Sequence, residues 1–476
     1  MLDEAARVES LDVLSGFRTG FYGCLTARAD ALFELSDALL CADGPVRTLV
    51  GLVLAPEHRR GHGALYDGLN SGRIDVKRLR TALAGLPLPT AAGGPIVLAA
   101  DVSPWLRPDA ATSPERLFCH VQGRGKSQAQ LIPGWPYSIV AALETGSTSW
   151  TAVLDAVRLG PAGDATAVTA AQLREVIGGL LSAGQWAAGD EDILIVADAG
   201  YDTPRLAWLL ADLPVEILGR IRSDRVLRLP APAREPAAIG RPRRHGEEFR
   251  LADPATWPEP GVATSTATSR YGTARAAAWD RLHPRLTHRS AWLDHHGELP
   301  VLHGTLIRLA VEHLPGDRDP KPLWLWSSAA GASPAHVDRL WQAFLRRFDL
   351  EHTFRLFKQT LGWTAPRLRD PAAADRWTWL VITAHTQLRL ARDLTEDLRR
   401  PWERPAAPGR LTPARVRRGF RNLRPKTSLP ASAPKPGKAG PGRPAGTRNR
   451  QPTTRHDVGK TRKRAHTLTE HQTQRG

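Results

Sequence analysis

The stretch Phe344-Leu-Arg-Arg-Phe-Asp-Leu-Glu-His-Thr-Phe-Arg-Leu-Phe-Lys358 decides how the rest of the chain is read. At 3.6 residues per turn, Phe344, Arg347, Glu351 and Lys358 fall three, four and seven apart, along one stripe of a helix. Leu345, Phe348, Leu350, Phe354, Leu356 and Phe357 cover much of the remaining circumference. A helix this apolar is largely buried, so its charged stripe must face a cleft or a partner. Taken alone, the stripe fits a solvated i,i+4 pair of Glu351 and Arg355 better. Its meaning depends on what the upstream chain brings to it.

Upstream, Ile96-Val-Leu-Ala-Ala100 and Ile193-Leu-Ile-Val-Ala197 are continuous apolar runs, the pattern of strands buried on both faces. Each run ends at a carboxylate, Asp101 and Asp198. Arg116–Gln122 and Tyr137–Leu143 read as further strands, Ala167–Ala183 as a helix, and Val215–Ile221 as a fifth strand. Between the second and third strands, Gly123–Gln130 places Arg124 and Lys126 beside the proposed site in chain order. Residues 223–322 break the rhythm with Pro, Arg and His and read as a β-rich insertion. Leu323–Trp326 then returns the chain to the sheet. Ser333 and Pro334 supply the N-cap and first position of the opening helix. A last helix is expected over about 374–398.

The carboxyl ends of neighbouring strands in an open α/β sheet converge on a crevice. If the first and fourth strands are neighbours, Asp101 and Asp198 stand close together and the helix presents Glu351 to the same point. Three such carboxylates need cations to ionise together, which predicts Mg²⁺ or Mn²⁺. Two ions about 4 Å apart could activate a water or a 3′-hydroxyl for displacement at phosphorus. Each aspartate also has a plain structural alternative, as a turn residue.

The order strand–Asp101, two strands, helix, strand–Asp198, β-rich insertion and helix with Glu351 resembles the RNase H-like core of DDE transposases. The helix stripe is similar to the Y-x2-R-x3-E-x6-K signature of bacterial insertion-sequence transposases. Arg347, Glu351 and Lys358 match it, and Phe344 stands where the signature has Tyr. The resemblance covers about residues 95–400. It implies that Asp101, Asp198 and Glu351 are catalytic metal ligands for two Mg²⁺ or Mn²⁺ ions. It implies DNA contacts from Arg347 and Lys358, with Phe344, Lys126 and Arg124 as further DNA-facing candidates. The implied activity is cleavage at terminal inverted repeats followed by joining of 3′ ends to target DNA, by a homodimer on double-stranded DNA. Relatives with a β-rich insertion stack a Trp on a flipped base, for which Trp257, Trp279 and Trp292 are the candidates. A stand-alone nuclease and an inactive, DNA-binding relative are the alternatives.

Composition sets the remaining bounds. The chain has 476 residues and a net charge of +17. From Arg400 onward 20 Lys or Arg stand against three acidic residues, so the tail carries the whole excess. Residues 401–476 therefore read as a disordered basic arm for a polyanion, with a short basic helix near Thr412–Arg421. Gly440-Pro-Gly-Arg-Pro444 resembles an AT-hook core. Residues 1–90 read as a helical region that binds DNA or simply packs. Three separated cysteines form no CxxC pair, and His283, His288, His295, His296 and His303 lack a zinc spacing. With no apolar span or signal core, a bacterial cytoplasmic, nucleoid-associated protein is expected. The fold class expected is α/β, an RNase H-like mixed sheet flanked by helices.

Overall fold

The computed structural model describes residues 4–89, 94–122, 129–146, 148–161, 164–234, 239–289, 292–293, 295–314, 320–407, 409–435, 446 and 452–459. The N-terminal region contains α1 (Glu4–Cys24), β1 (Leu25–Ala27), α2 (Ala29–Cys41), α3 (Leu49–Val53), α4 (His62–Ser71), β2 (Arg73–Ile74) and α5 (Val76–Ala84). Next come β3 (Val97–Leu106), β4 (Leu117–Gln122), β5 (Ala129–Leu143), β6 (Thr151–Arg158), α6 (Ala165–Ser182), β7 (Ile193–Ala197), α7 (Thr203–Leu209) and β8 (Val215–Ile221). The following segment holds β9 (Val226–Arg228), β10 (Glu248–Arg250), β11 (Val262–Thr268), β12 (Gly272–Leu282) and β13 (Gly304–Val311). The chain closes with β14 (Leu323–Ser327), α8 (Pro334–Arg346), α9 (Phe348–Gln359), α10 (Pro371–Leu390) and α11 (Pro413–Leu423).

Ten strands form one mixed sheet in the order β11-β12-β13-β14-β8-β7-β3-β5-β4, with β6 also paired to β5. Among the described residues, parallel pairing is confined to β3–β7 and β7–β8. The β7–β8 crossover carries α7, as parallel neighbours require a connection that returns to the same end. Residues alternate between faces. Leu98, Ala100, Ile193 and Ile195 pack with Leu173, Ile177 and Leu180 of α6 on one side. Ala99 packs on the other side with α9 and α10, and Leu194 and Val196 pack there with Val337, Leu340 and Phe344 of α8. Burial on both faces is why β3 and β7 begin as unbroken apolar runs. The mixed α/β sheet flanked by helices is that of an RNase H-like core.

Three elements depart from the sequence reading. First, β3 does not end at Asp101, because its antiparallel pairing with β5 continues to Leu106↔Gly134. Second, the opening helix is two helices that meet at Arg347. There Arg347 N donates to Phe344 O and Leu350 N to Arg347 O, both three-residue bonds that tighten the turn. Third, the tail is not wholly a solvated arm. Val416 and Phe420 of α11 are fully buried, and Arg417 donates to the Leu39 and Gly44 carbonyls at the C-terminal end of α2. Those carbonyls need donors, and an arginine with a buried stem supplies them. The AT-hook-like core lies outside the described residues. No helix among the described residues is long and apolar enough to cross a membrane.

Candidate active site

The parallel register of β3 and β7 pairs Ala100 with Ala197, so Asp101 and Asp198 follow as neighbours at the point where β7 ends. By alternation Asp101 lies on the face of Ala99 and Asp198 on that of Val196, the side covered by α8 and α9. The turn between these helices places Arg347 over both carboxylates. Its Nη1 donates to Asp101 Oδ2 at 2.6 Å, and its Nη2 lies 3.4 Å from Asp198 Oδ2. The remaining oxygens are held locally: Val102 N donates to Asp101 Oδ1 and Ala199 N to Asp198 Oδ1, each at 2.8 Å. Arg220 stands 3.9 Å from Asp198 Oδ1.

Exposure grades across this cluster. The side chains of Arg347 and Asp101 are 7% and 14% exposed, and Asp198 is 36% exposed. Burial pushes the Asp101 carboxyl up to about 6, and the charges of Glu351 and Asp198 act in the same direction. Arg347 and the Val102 N–H oppose them. Three carboxylates therefore share one electrostatic neighbourhood, with Arg347 as the cation in contact with two of them. Glu351 is exposed on α9. Lys358 is half-buried; desolvation lowers its pKa, while the charges of Glu351, Cys119 and Asp101 raise it. Its Nζ lies 5.8 Å from the centre of the Trp363 ring. Among the described residues no group of three His, Cys, Asp or Glu side chains is gathered closely enough to hold a metal.

Phe344, expected to reach DNA, is instead 4% exposed and packs into the α8–sheet core. Its ring lies 6.0 Å from the Arg347 guanidinium, so its contribution here is to support that side chain. Arg124 and Lys126 lie outside the described residues. The candidate tryptophans are structural: Trp257 Nε1 donates to Arg250 O and Trp279 Nε1 to Pro258 O, and Trp292 is buried. Of the histidines, His283 is buried against His245, with ring nitrogens 2.9 Å apart, and burial pushes its pKa down to about 4. Asp202 caps α7 by accepting from Arg205 N.

Sequence reasoning missed Tyr201, whose hydroxyl is buried beside Ser138. Burial raises its pKa, and the Asp101 and Asp198 charges add to that rise. Its signal was present in Asp198-Ala-Gly-Tyr-Asp202, where Tyr201 N donates to Asp198 O at 3.1 Å and the ring packs against the α6 side of the sheet. Asp349, a nearby alternative carboxylate on the same helix as Glu351, is also perturbed: burial pushes its carboxyl to about 6 although Arg346 lies 3.1 Å away.

No curated protein matches the chain. A family model described as DDE superfamily endonuclease matches residues 20–285, more than half of the sequence. The match includes Asp101 and Asp198 and stops before α8 and α9. With a mixed α/β sheet that sets these two aspartates side by side, the chain belongs to the DDE superfamily endonucleases.

Proposed function

We propose that this protein is a transposase that cleaves DNA at the terminal inverted repeats of a mobile element and joins the 3′ ends to target DNA. The observation that carries the reading is the Asp101–Arg347–Asp198 bridge at the end of β7, with Glu351 close enough to raise the Asp101 pKa. The family match supports nuclease chemistry on DNA, and the helix stripe supports the narrower assignment. A homodimer on paired ends is part of the same proposal.

The donor chemistry suits a hard divalent cation: all three acidic groups offer oxygen, and burial, with the Glu351 and Asp198 charges adding to it, raises the pKa of Asp101. Asp101, Asp198 and Glu351 would hold Mg²⁺ or Mn²⁺, which supplies Lewis-acid activation and charge stabilisation at phosphorus. Arg347 orients Asp101 and Asp198 by gripping one oxygen of each. A DNA phosphate gives its planar fork an alternative partner. Lys358, a point charge with Glu351 and Asp101 in its field, is suited to hold a non-reacting phosphate oxygen. Phe344 lacks the hydroxyl of the signature Tyr, and its buried position supports a packing role for that ring.

The test is nicking of a supercoiled plasmid that carries the element's ends, with Mg²⁺ or Mn²⁺ added. Glu351→Gln is expected to abolish nicking and leave DNA binding nearly unchanged. Normal nicking by this variant would remove Glu351 from the reaction. Nicking without joining would reassign the protein as a stand-alone nuclease.

A further inference from the structure

Beside the carboxylate site lies a second feature, a groove of about 810 Å³. Its walls come from the β5–β6 connection, the β11–β12 turn, the α8–α9 junction and the chain just before α11. Arg270, Arg346, Arg392 and Arg410 line it, against the single carboxylate of Asp349. Glu144, close by, is held by Arg392 at 3.0 Å and accepts from Thr148 at 3.0 Å. Arg270's charge acts on Asp349, so the turn and α9 share one field. Hydroxyls from Ser149, Ser269 and Thr412 add neutral donors.

We infer that this groove takes the sugar–phosphate backbone of the DNA strand that runs out from the carboxylates. The inference rests on the proposed function and extends it to a surface of its own. Cations drawn from separate segments, interleaved with hydroxyls, match a repeating anion rather than an apolar peptide or a single small ion. Continuity with the site comes from Phe348. Its ring is 58% exposed, lines the groove, and lies 5.8 Å from the Arg347 guanidinium that bridges Asp101 and Asp198. A backbone leaving the carboxylates past Phe348 therefore meets Arg346 on α8 and then the surfaces of Arg270 and Arg410.

The test uses the full chain and a labelled duplex oligonucleotide, with anisotropy followed across a salt series. Arg270 and Arg410 are exposed, and the Arg270→Glu with Arg410→Glu variant is compared with wild type at a temperature where thermal unfolding shows both to be folded. Each lost phosphate contact removes about one from the slope of log affinity against log salt, so the pair should lose about two. Affinity at low salt should fall at least about tenfold. A reference pair with the same charge change, Arg222→Glu with Arg241→Glu, should keep the wild-type slope; these side chains are 62% and 79% exposed away from the groove. A wild-type slope in the groove variant, or an equal loss in the reference pair, overturns the assignment. If wild-type protein binds and nicks DNA while the groove variant keeps its slope, the groove alone falls. If wild-type protein neither binds nor nicks DNA, the proposed function falls with it.

Discussion

Replacing Arg347 by Met keeps most of the stem and removes the charge that lies 2.6 Å from Asp101 and 3.4 Å from Asp198. Breaking a buried pair from one side costs about 3–5 kcal/mol, because the remaining charge is left without compensation. The contact with Asp198 adds under about 1 kcal/mol, since that carboxylate is 36% exposed and screened. The loss depends on pH in a definite direction. The folded pKa of Asp101 is raised to about 6 from the ordinary 3.8. Its contribution to stability is therefore fully present below the unfolded value and is lost as pH rises through about 6. Arg347 offsets that loss while Asp101 is ionised. At about pH 8 the variant should be less stable by about 3 kcal/mol, and at about pH 5, where Asp101 is mostly neutral, by about 1 kcal/mol. Urea unfolding followed by tryptophan fluorescence measures both. Asp101→Asn added to Arg347→Met should recover most of the deficit at the higher pH, since the stranded charge is then gone. Equal losses at both pH values, or strictly additive losses in the double variant, would refute the ion-pair account.

Two further predictions concern the frame around the site. Ending the chain after residue 412 strips away α11 with its buried Val416, Phe420 and Leu423, at about 2 kcal/mol each, and should markedly lower the melting temperature. Ending it after residue 435 removes the hydrogen bonds that His456 and Gly459 make with Ala111 and Arg116 and should lower the melting temperature less; circular dichroism distinguishes the two truncations. Gly362→Ala should destabilise by about 2–4 kcal/mol in the same assay, because φ is +68° and the added Cβ meets the Val46 carbonyl. A melting temperature equal to wild type would show that this turn relaxes freely.

Much of the sheet was legible because burial on both faces writes itself as continuous apolar sequence. Ile193–Ala197 and Val215–Ile221 occupy the expected residues. β6 escaped because Asp155 interrupts Thr151–Arg158, yet that aspartate is fully buried and accepts from Arg80 at 2.6 Å. The junction of α8 and α9 is invisible to periodicity, since Arg347 keeps right-handed helical angles of −51° and −28°. The spacing of Arg347, Glu351 and Lys358 could be read directly, but not the partner of Arg347. Asp101 is separated from it by 246 residues, and it is the packing of α8 and α9 on the sheet that brings the two together. The tail misled for a different reason. Charge density reads as solvation, whereas Arg417 and Arg421 spend their donors on the Leu39, Gly44 and Cys41 carbonyls.

The segment spliced between β8 and β14 has a mechanical consequence. It is not hung from the core by a hinge: β11, β12 and β13 continue the same hydrogen-bonded sheet through β14 to β8 and β7. A load applied at the β11–β12 turn passes through successive backbone ladders to the strand that ends at Asp198. Asp338 on α8 ties the outer strand down as well, accepting from Thr264 at 2.6 Å and Thr266 at 2.7 Å. Such a plate bends or twists as a unit instead of flapping. Any widening between the β11–β12 turn and α9 is therefore felt as torque at the strand ends that carry the two aspartates.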